Sequence, residues 1–278
     1  VPDQGAGAAA GPDQDLVEEL RLAGCVYAED EAELVTGSLR ARQMSPAADE
    51  AIALVRDYVE RRRAGEPAEY ILGWAGFSGL RVAVGPGVFI PRRWSERLVG
   101  RAAELLNATG SGIAVDLGAG SGAIALGIHA LAPAATIWAI EVDPRAVEWA
   151  ARNCAGVDSI TVLCGDLYGA LPAELHRRVD VVAGSLPYVP RAELEDLPRD
   201  HVVNEPVVAF DGGADGLTGV RRALREATRW LRPGGRILLE IGVGQGTLAA
   251  AVAGDAGLTA VVIERDEDGG ELFLEAAA

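Results

Sequence analysis

From Gly112 onward, short apolar runs alternate with stretches in which apolar residues recur at helical spacing. The runs predict strands at 113–117, 136–141, 160–164, 179–184, 236–241, 258–264 and 271–275. The stretches between them predict helices at about 122–131, 144–153, 217–231 and 245–255. Strands that alternate with helices run parallel and are buried on both faces. The predicted class is α/β, a seven-stranded Rossmann-like sheet with helices on both sides. Only the polar stretch Arg265 to Gly270 separates the last two strands, so they form a hairpin and one strand, the last, is antiparallel.

Upstream the period is helical. Leu16, Leu20 and Ala23, then Ala32, Leu34 and Val35, then Ile52, Val55 and Val59 mark three or four helices, punctuated by Gly24, Gly37 and Pro46. They predict a small helical domain over 15–73, serving packing alone or substrate recognition. Residues 1–14, rich in Gly, Ala and Pro, read as a flexible terminus without the basic and apolar regions of a signal peptide. Alternation with Gly76, Gly79, Gly85 and Gly87 predicts a linking β-hairpin over 74–92. The segment from Pro91 to Val99 opens a helix that ends near Leu106, and residues 93–278 form the larger domain.

Composition narrows the function. The chain has 278 residues and is 49% apolar, enough for a full core and a small second unit. Its net charge is −16 and every basic residue is Arg. Phosphate binding needs a basic face, so a nucleic-acid partner is not expected. No apolar run spans a bilayer, so no membrane partner is expected either. Three scattered cysteines, Cys25, Cys154 and Cys164, suit a cytoplasmic protein with reduced thiols and offer no metal site.

The candidate chemistry gathers at Ala114 to Leu126, a strand, a glycine turn and the first turn of a helix. Gly118, Gly120 and Gly122 let a ligand approach the backbone, and the helix start offers free N–H groups. The next strand ends in Glu141, 19 residues beyond Gly122, where an acid can accept both hydroxyls of a ribose. The third ends in Asp166, placed for an adenine amino group. The lesser reading of Asp116 and Asp166 is as turn caps. The turn also resembles a dinucleotide fingerprint, but Ala123 replaces its third glycine.

Taken together, Asp116, Gly118, Gly120, Gly122, Glu141, Asp166 and the terminal hairpin make region 112–275 resemble a class I S-adenosylmethionine-dependent methyltransferase. The resemblance sharpens to the peptide chain release factor glutamine methyltransferases. It is carried by Gly65-Glu66-Pro67, Tyr70-Ile71-Leu72-Gly73, Gly87-Val88-Phe89-Ile90-Pro91-Arg92, Asn204-Glu205-Pro206 and Asp211 to Leu217. It implies S-adenosylmethionine as cofactor. Asp116 would face the methionine amine, Gly118, Ala119, Gly120 and Gly122 would admit the cofactor, and Glu141 with Val142 would hold the ribose. Asp166 with Leu167 would lie by the adenine, and Phe89 and Arg92 would also bind the cofactor.

Two positions depart from that family's pattern. Ser185-Leu186-Pro187-Tyr188 stands where the family has Asn-Pro-Pro-Tyr, and Arg93-Trp94 stands where it usually has Pro-Glu. In the family the Asn oxygen and the next backbone carbonyl accept hydrogens from the target amide. With that Asn absent and acidic residues following, a guanidinium is the expected planar nitrogen. The expected substrate is therefore arginine, free or in a small molecule. Ser185, Leu186 and Tyr188 would orient it, His201 would be the base, Glu205 would pair with the guanidinium at the catalytic centre, and Asp211, Glu267 and Glu271 would bind the substrate. His201 and the acids read also as surface residues. The alternative substrate is the glutamine amide of a release factor protein. A further alternative is a non-catalytic cofactor-binding interaction protein.

Overall fold

The computed structural model describes residues 14–45, 47–197 and 203–278. By their contacts the residues divide into two compact units, Val1–Gly73 and Trp74–Ala278. Of the stretch 1–14, only Gln14 is described, and it opens the first helix.

The first unit holds α1 (Gln14–Leu22), α2 (Ala28–Ala41), α3 (Asp49–Arg63) and the single turn α4 (Ala68–Leu72). Leu16, Val17 and Leu20 of α1, Val35 of α2 and Tyr58 and Val59 of α3 close one small core. Glu31 of α2 is buried beside it. Its carboxylate accepts from the Tyr58 hydroxyl at 3.0 Å and from Arg62 Nε and Nη2 at 2.8 and 3.0 Å. A buried carboxylate needs such partners, because burial of an unpaired charge is prohibitive. Gly73 ends the unit in the left-handed conformation, φ 78°, that caps α4.

The second unit opens with an antiparallel hairpin, β1 (Trp74–Phe77) and β2 (Leu80–Ala83). The hairpin is shorter than the 74–92 expected. Pro86 has no ladder donor and Gly87 turns at φ 92°, so residues 84–94 run as a loop. Then come α5 (Ser95–Asn107), β3 (Ile113–Leu117), α6 (Ala123–Leu131), β4 (Thr136–Glu141), α7 (Pro144–Asn153), β5 (Ile160–Cys164) and β6 (Val179–Gly184). The chain closes with α8 (Thr218–Trp230), β7 (Leu231–Glu240), α9 (Gly246–Asp255), β8 (Thr259–Arg265) and β9 (Glu271–Ala277).

The seven strands lie in the order β5-β4-β3-β6-β7-β9-β8. All neighbours pair parallel except at β9, which is antiparallel to both β7 and β8. Successive strand residues face opposite sides, so each strand feeds two cores. Ala114, Ile137, Val181 and Leu238 pack with Leu98 and Val99 of α5 and Ile128 of α6. Val115, Val182, Ile237 and Leu239 pack with Leu224 and Trp230 of α8. β7 begins five residues before the expected 236. Pro233 disfavours continuing α8, and the N–H groups of Arg177 and Arg178 take the Arg229 and Trp230 carbonyls at the helix end. Residues 233–235 then bulge, so Leu231 pairs with Val179 and Arg236 with Val181.

From β3 the chain crosses to β4 on one side, and from β6 it continues to β7 on the other. The connections diverge above the carboxyl ends of these strands, which opens a crevice there.

Candidate active site

The crevice is a cavity of about 330 Å³ within the second unit. Much of its wall comes from Gly118–Ser121 after β3, Glu141–Asp143 after β4, Ser185–Val189 after β6, the loop from Phe89 to Ser95, and Pro206 with Val208–Phe210, with Phe77, Ala123, Ile124, Ala146 and Leu197 completing it. Asn153 ties three elements behind it. Its side chain bonds the Ala83 N–H and carbonyl of β2 and the Ser121 carbonyl of the glycine turn, each at 2.9 Å.

The turn is built on left-handed glycines. Gly118 has φ 72°, and a Cβ there would come 3.1 Å from the Ser185 carbonyl oxygen, so the turn and the exit of β6 touch backbone to backbone. Gly122, φ 81°, is different. Its absent Cβ makes room for Cys154 Sγ, just past the end of α7, at 3.1 Å, and Gly122 does not line the cavity. Its expected place against a cofactor is thus corrected to a packing position that caps α6.

Glu141 lines the cavity at the tip of β4. Oε2 accepts from Gly120 N–H at 2.8 Å, and Oε1 accepts from Val142 N–H at 2.8 Å and Asp143 N–H at 2.9 Å. These bonds fix an acceptor at the rim, with Ala119 and Val142 beside it. Asp116 sits behind the turn, fully enclosed rather than on the cavity wall. Its Oδ2 accepts from Ala125 N–H of α6 at 3.1 Å, while Oδ1 is buried without a hydrogen-bond partner. Burial raises its carboxyl to about 7, the charges of Glu141 and Glu240 push the same way, and the Ala125 N–H opposes them.

That shift has a measurable sign. Between about pH 4 and 7 the native carboxyl keeps a proton that the unfolded chain releases. Its stabilising contribution is full below that window and is lost as pH rises to about 7. Exchange Asp116→Asn should gain on the native chain by about 2–3 kcal/mol between pH 5 and pH 8. Urea unfolding of both proteins at the two pH values measures it; a pH-independent difference would show that Asp116 is not held protonated.

Ser185, Leu186 and Tyr188 line the cavity together. Ser185 Oγ donates to Glu240 Oε2 at 2.7 Å. Burial pushes the Tyr188 phenol up to about 12, with the Glu240 charge adding to it. Phe89 and Arg92 form the facing wall, the guanidinium 4.6 Å above the Phe89 ring, and Phe89 meets Phe210 edge-on at 5.4 Å.

Other expected site residues lie elsewhere. Asp166 is exposed and bonded to Arg222 at 2.7 Å, and Leu167 is buried in the core below, so neither is on the wall. Glu205 is enclosed; it accepts from Ile90 N–H at 2.8 Å and pairs with Arg92, so it holds the loop rather than touching a substrate. Asp211 accepts from Gly213 N–H at 2.9 Å and pairs with Arg191, which together hold its carboxyl below the usual range. Glu271 accepts from Gly246 N–H at the start of α9 at 2.7 Å and pairs with Arg265. Glu267 is exposed in the turn between β8 and β9. His201 lies outside the described residues.

Sequence reasoning missed Glu240. It ends β7 at 2% exposure, one residue beyond Leu239, the partner of Gly184. A lone carboxylate inside the apolar run Ile237 to Ile241 was the available signal, since a strand buried on both faces must give it a polar partner. Among the described residues no group of three or more His, Cys, Asp or Glu could hold a metal ion, and no helix is long and apolar enough to cross a membrane.

Comparison with known proteins agrees with this architecture. Residues 114–202 match the model of a methyltransferase domain family. The fold is like that of the hMettl16 catalytic domain, with TM-score 0.57 and 15% identity over 82% of this chain and 81% of that one. A methyltransferase from Pyrococcus furiosus aligns with TM-score 0.50 and 20% identity over 72% of this chain and 89% of that one. The release factor glutamine methyltransferase of Gloeobacter violaceus is 37% identical over 87% of this chain and 86% of its own. Its namesake from Caulobacter vibrioides is 34% identical over 92% and 87%, and that from Moorella thermoacetica is 36% identical over 84% of each. These relatives overturn the expectation of an arginine guanidinium in a small-molecule amino acid. The geometry supplies the physical reason: Glu205, Asp211 and Glu271, the acids counted on for a guanidinium, are already committed to arginines and backbone N–H groups of the chain itself.

Proposed function

We propose that this chain, which belongs to the release factor glutamine methyltransferase family, methylates the side-chain amide nitrogen of a glutamine in a peptide chain release factor, with S-adenosylmethionine as donor. The observation that carries the reading is likeness to release factor glutamine methyltransferases along most of both chains, not over the methyltransferase domain alone.

The residues present fit that donor. Glu141 offers a fixed carboxylate to a ribose diol. Gly118 and Gly120 leave the turn bare, and Gly120 has open space where a Cβ would stand. Of the carboxyls of Asp116, Glu141 and Glu240 only that of Glu141 is on the cavity wall, with Asp116 buried behind the turn, and an acceptor there suits a ligand with cationic centres and hydroxyl groups. When bound, the cofactor supplies an electrophilic methyl on a sulfonium.

The chain's own part is to position the nucleophile. Ser185 Oγ and the adjacent Leu186 carbonyl offer acceptors for the two hydrogens of a carboxamide, turning the nitrogen lone pair toward the methyl. Such alignment accounts for a large part of the barrier reduction in a displacement. Leu186, Pro187, Val208 and Phe210 give the cavity an apolar lining that excludes water. The test is mass spectrometry of a Gly-Gly-Gln release factor incubated with the chain and isotope-labelled S-adenosylmethionine. Label on the glutamine of the intact factor is expected. An unlabelled factor, with the donor bound, would overturn the reading.

A further inference from the structure

The two positions at which the chain departs from its family's pattern meet at one carboxylate. Ser185 Oγ donates to Glu240 Oε2 at 2.7 Å. Trp94 and Ser95 also lie within reach of Glu240, although its Oε1 makes no well-aligned hydrogen bond. Ser185, Trp94 and Ser95 all line the cavity, whereas Glu240 does not. The donors around this buried acid thus form part of the cavity wall.

A serine hydroxyl has one proton and two lone pairs, and its rotor is free to present either. Toward a carboxamide nitrogen the two choices are opposite: lone pairs accept from N–H, whereas the O–H competes for the lone pair that must attack the methyl. An asparagine oxygen has no such ambiguity. In the 2.7 Å bond the Ser185 proton goes to the Glu240 carboxylate, which leaves only lone pairs for the cavity.

We propose that Glu240 is a positioning residue that locks Ser185 as an acceptor for the substrate amide and so restores a polarity that serine alone does not fix. The proposal rests on the amide-methyltransferase reading above. A structural role for Glu240, as a mere partner for neighbouring donors, predicts the same cost whatever stands at position 185. Locking Ser185 predicts a cost only while a hydroxyl is there to be locked.

The experiment is a double-mutant cycle on the full chain, with kcat and both KM values measured on the release factor. Glu240→Met alone, which removes both acceptor oxygens at similar side-chain length, should lower kcat by about tenfold or more while the donor KM changes less than about twofold. In the Ser185→Asn background the same exchange should lower kcat by less than about threefold. The Ser185→Ala background should show the same shrinkage without requiring that an asparagine fit. Equal losses in all backgrounds, or no loss with the native Ser185, would overturn the proposal and leave the glutamine reading standing. A native chain that leaves the release factor unlabelled would overturn both.

Discussion

Exchange Glu141→Ala should weaken S-adenosylmethionine binding by about a hundredfold or more, a loss on the order of 3 kcal/mol. The carboxylate does two jobs at once. It holds the rim of the cavity through Gly120, Val142 and Asp143 N–H groups at 2.8, 2.8 and 2.9 Å, and it is the acceptor on the wall for a ribose diol. Alanine removes that acceptor and leaves three backbone donors without their partner. Glu141→Gln should do nearly as much harm. Both oxygens accept from N–H groups, so an amide must set its own NH2 against one of them. Calorimetric titration of the donor into each variant gives the affinity, and an unchanged melting temperature shows that the fold is intact. Binding within about threefold of the native value would remove Glu141 from the cofactor site.

The largest effect on stability should come from Glu205→Ala, a loss of about 3–5 kcal/mol. The Glu205 side chain is fully enclosed, pairs with the Arg92 guanidinium and accepts from Ile90 N–H at 2.8 Å. Removing it strands a largely buried guanidinium and an N–H, and frees the loop that carries Phe89. Urea unfolding should therefore show a much lower midpoint with the slope unchanged. Replacing both partners, Arg92→Leu with Glu205→Leu, should recover part of the loss, since a matched apolar pair leaves no buried charge uncompensated. A single Glu205→Ala variant as stable as the native chain would show that the pair contributes nothing.

What could be read from the chain, and what could not, divides by distance along it. The glycine turn was legible because its chemistry is local: strand, glycines and helix start lie within Ala114 to Leu126. Glu141 was legible because the crossover from β3 to β4 has a regular length. The role of Glu205 was not, because its partner Arg92 lies 113 residues away and only the folded chain brings them together. The arginine expectation failed for the same reason. It counted acids as open to a substrate, while Asp211, Glu271 and Glu205 had each found a donor within the fold. Asp166 likewise carries a strand-tip position that suits a ligand, yet it is bonded to Arg222 of α8. Glu240 shows the converse. Nothing adjacent in sequence explains it, and its meaning comes from a hydroxyl delivered by the neighbouring strand.

The insertion of β9 between β7 and β8 bears on how the chain reaches its native state. A ribosome delivers β7 and β8 before the strand that must lie between them, so both wait with unpaired edges while residues 271–277 are still to be made. Leu274, which ends fully buried, arrives in that segment. Exposed strand edges invite pairing with other chains. The nascent protein is thus most prone to aggregate just before its sheet can close, and a chain halted after Arg265 would be an aggregating species.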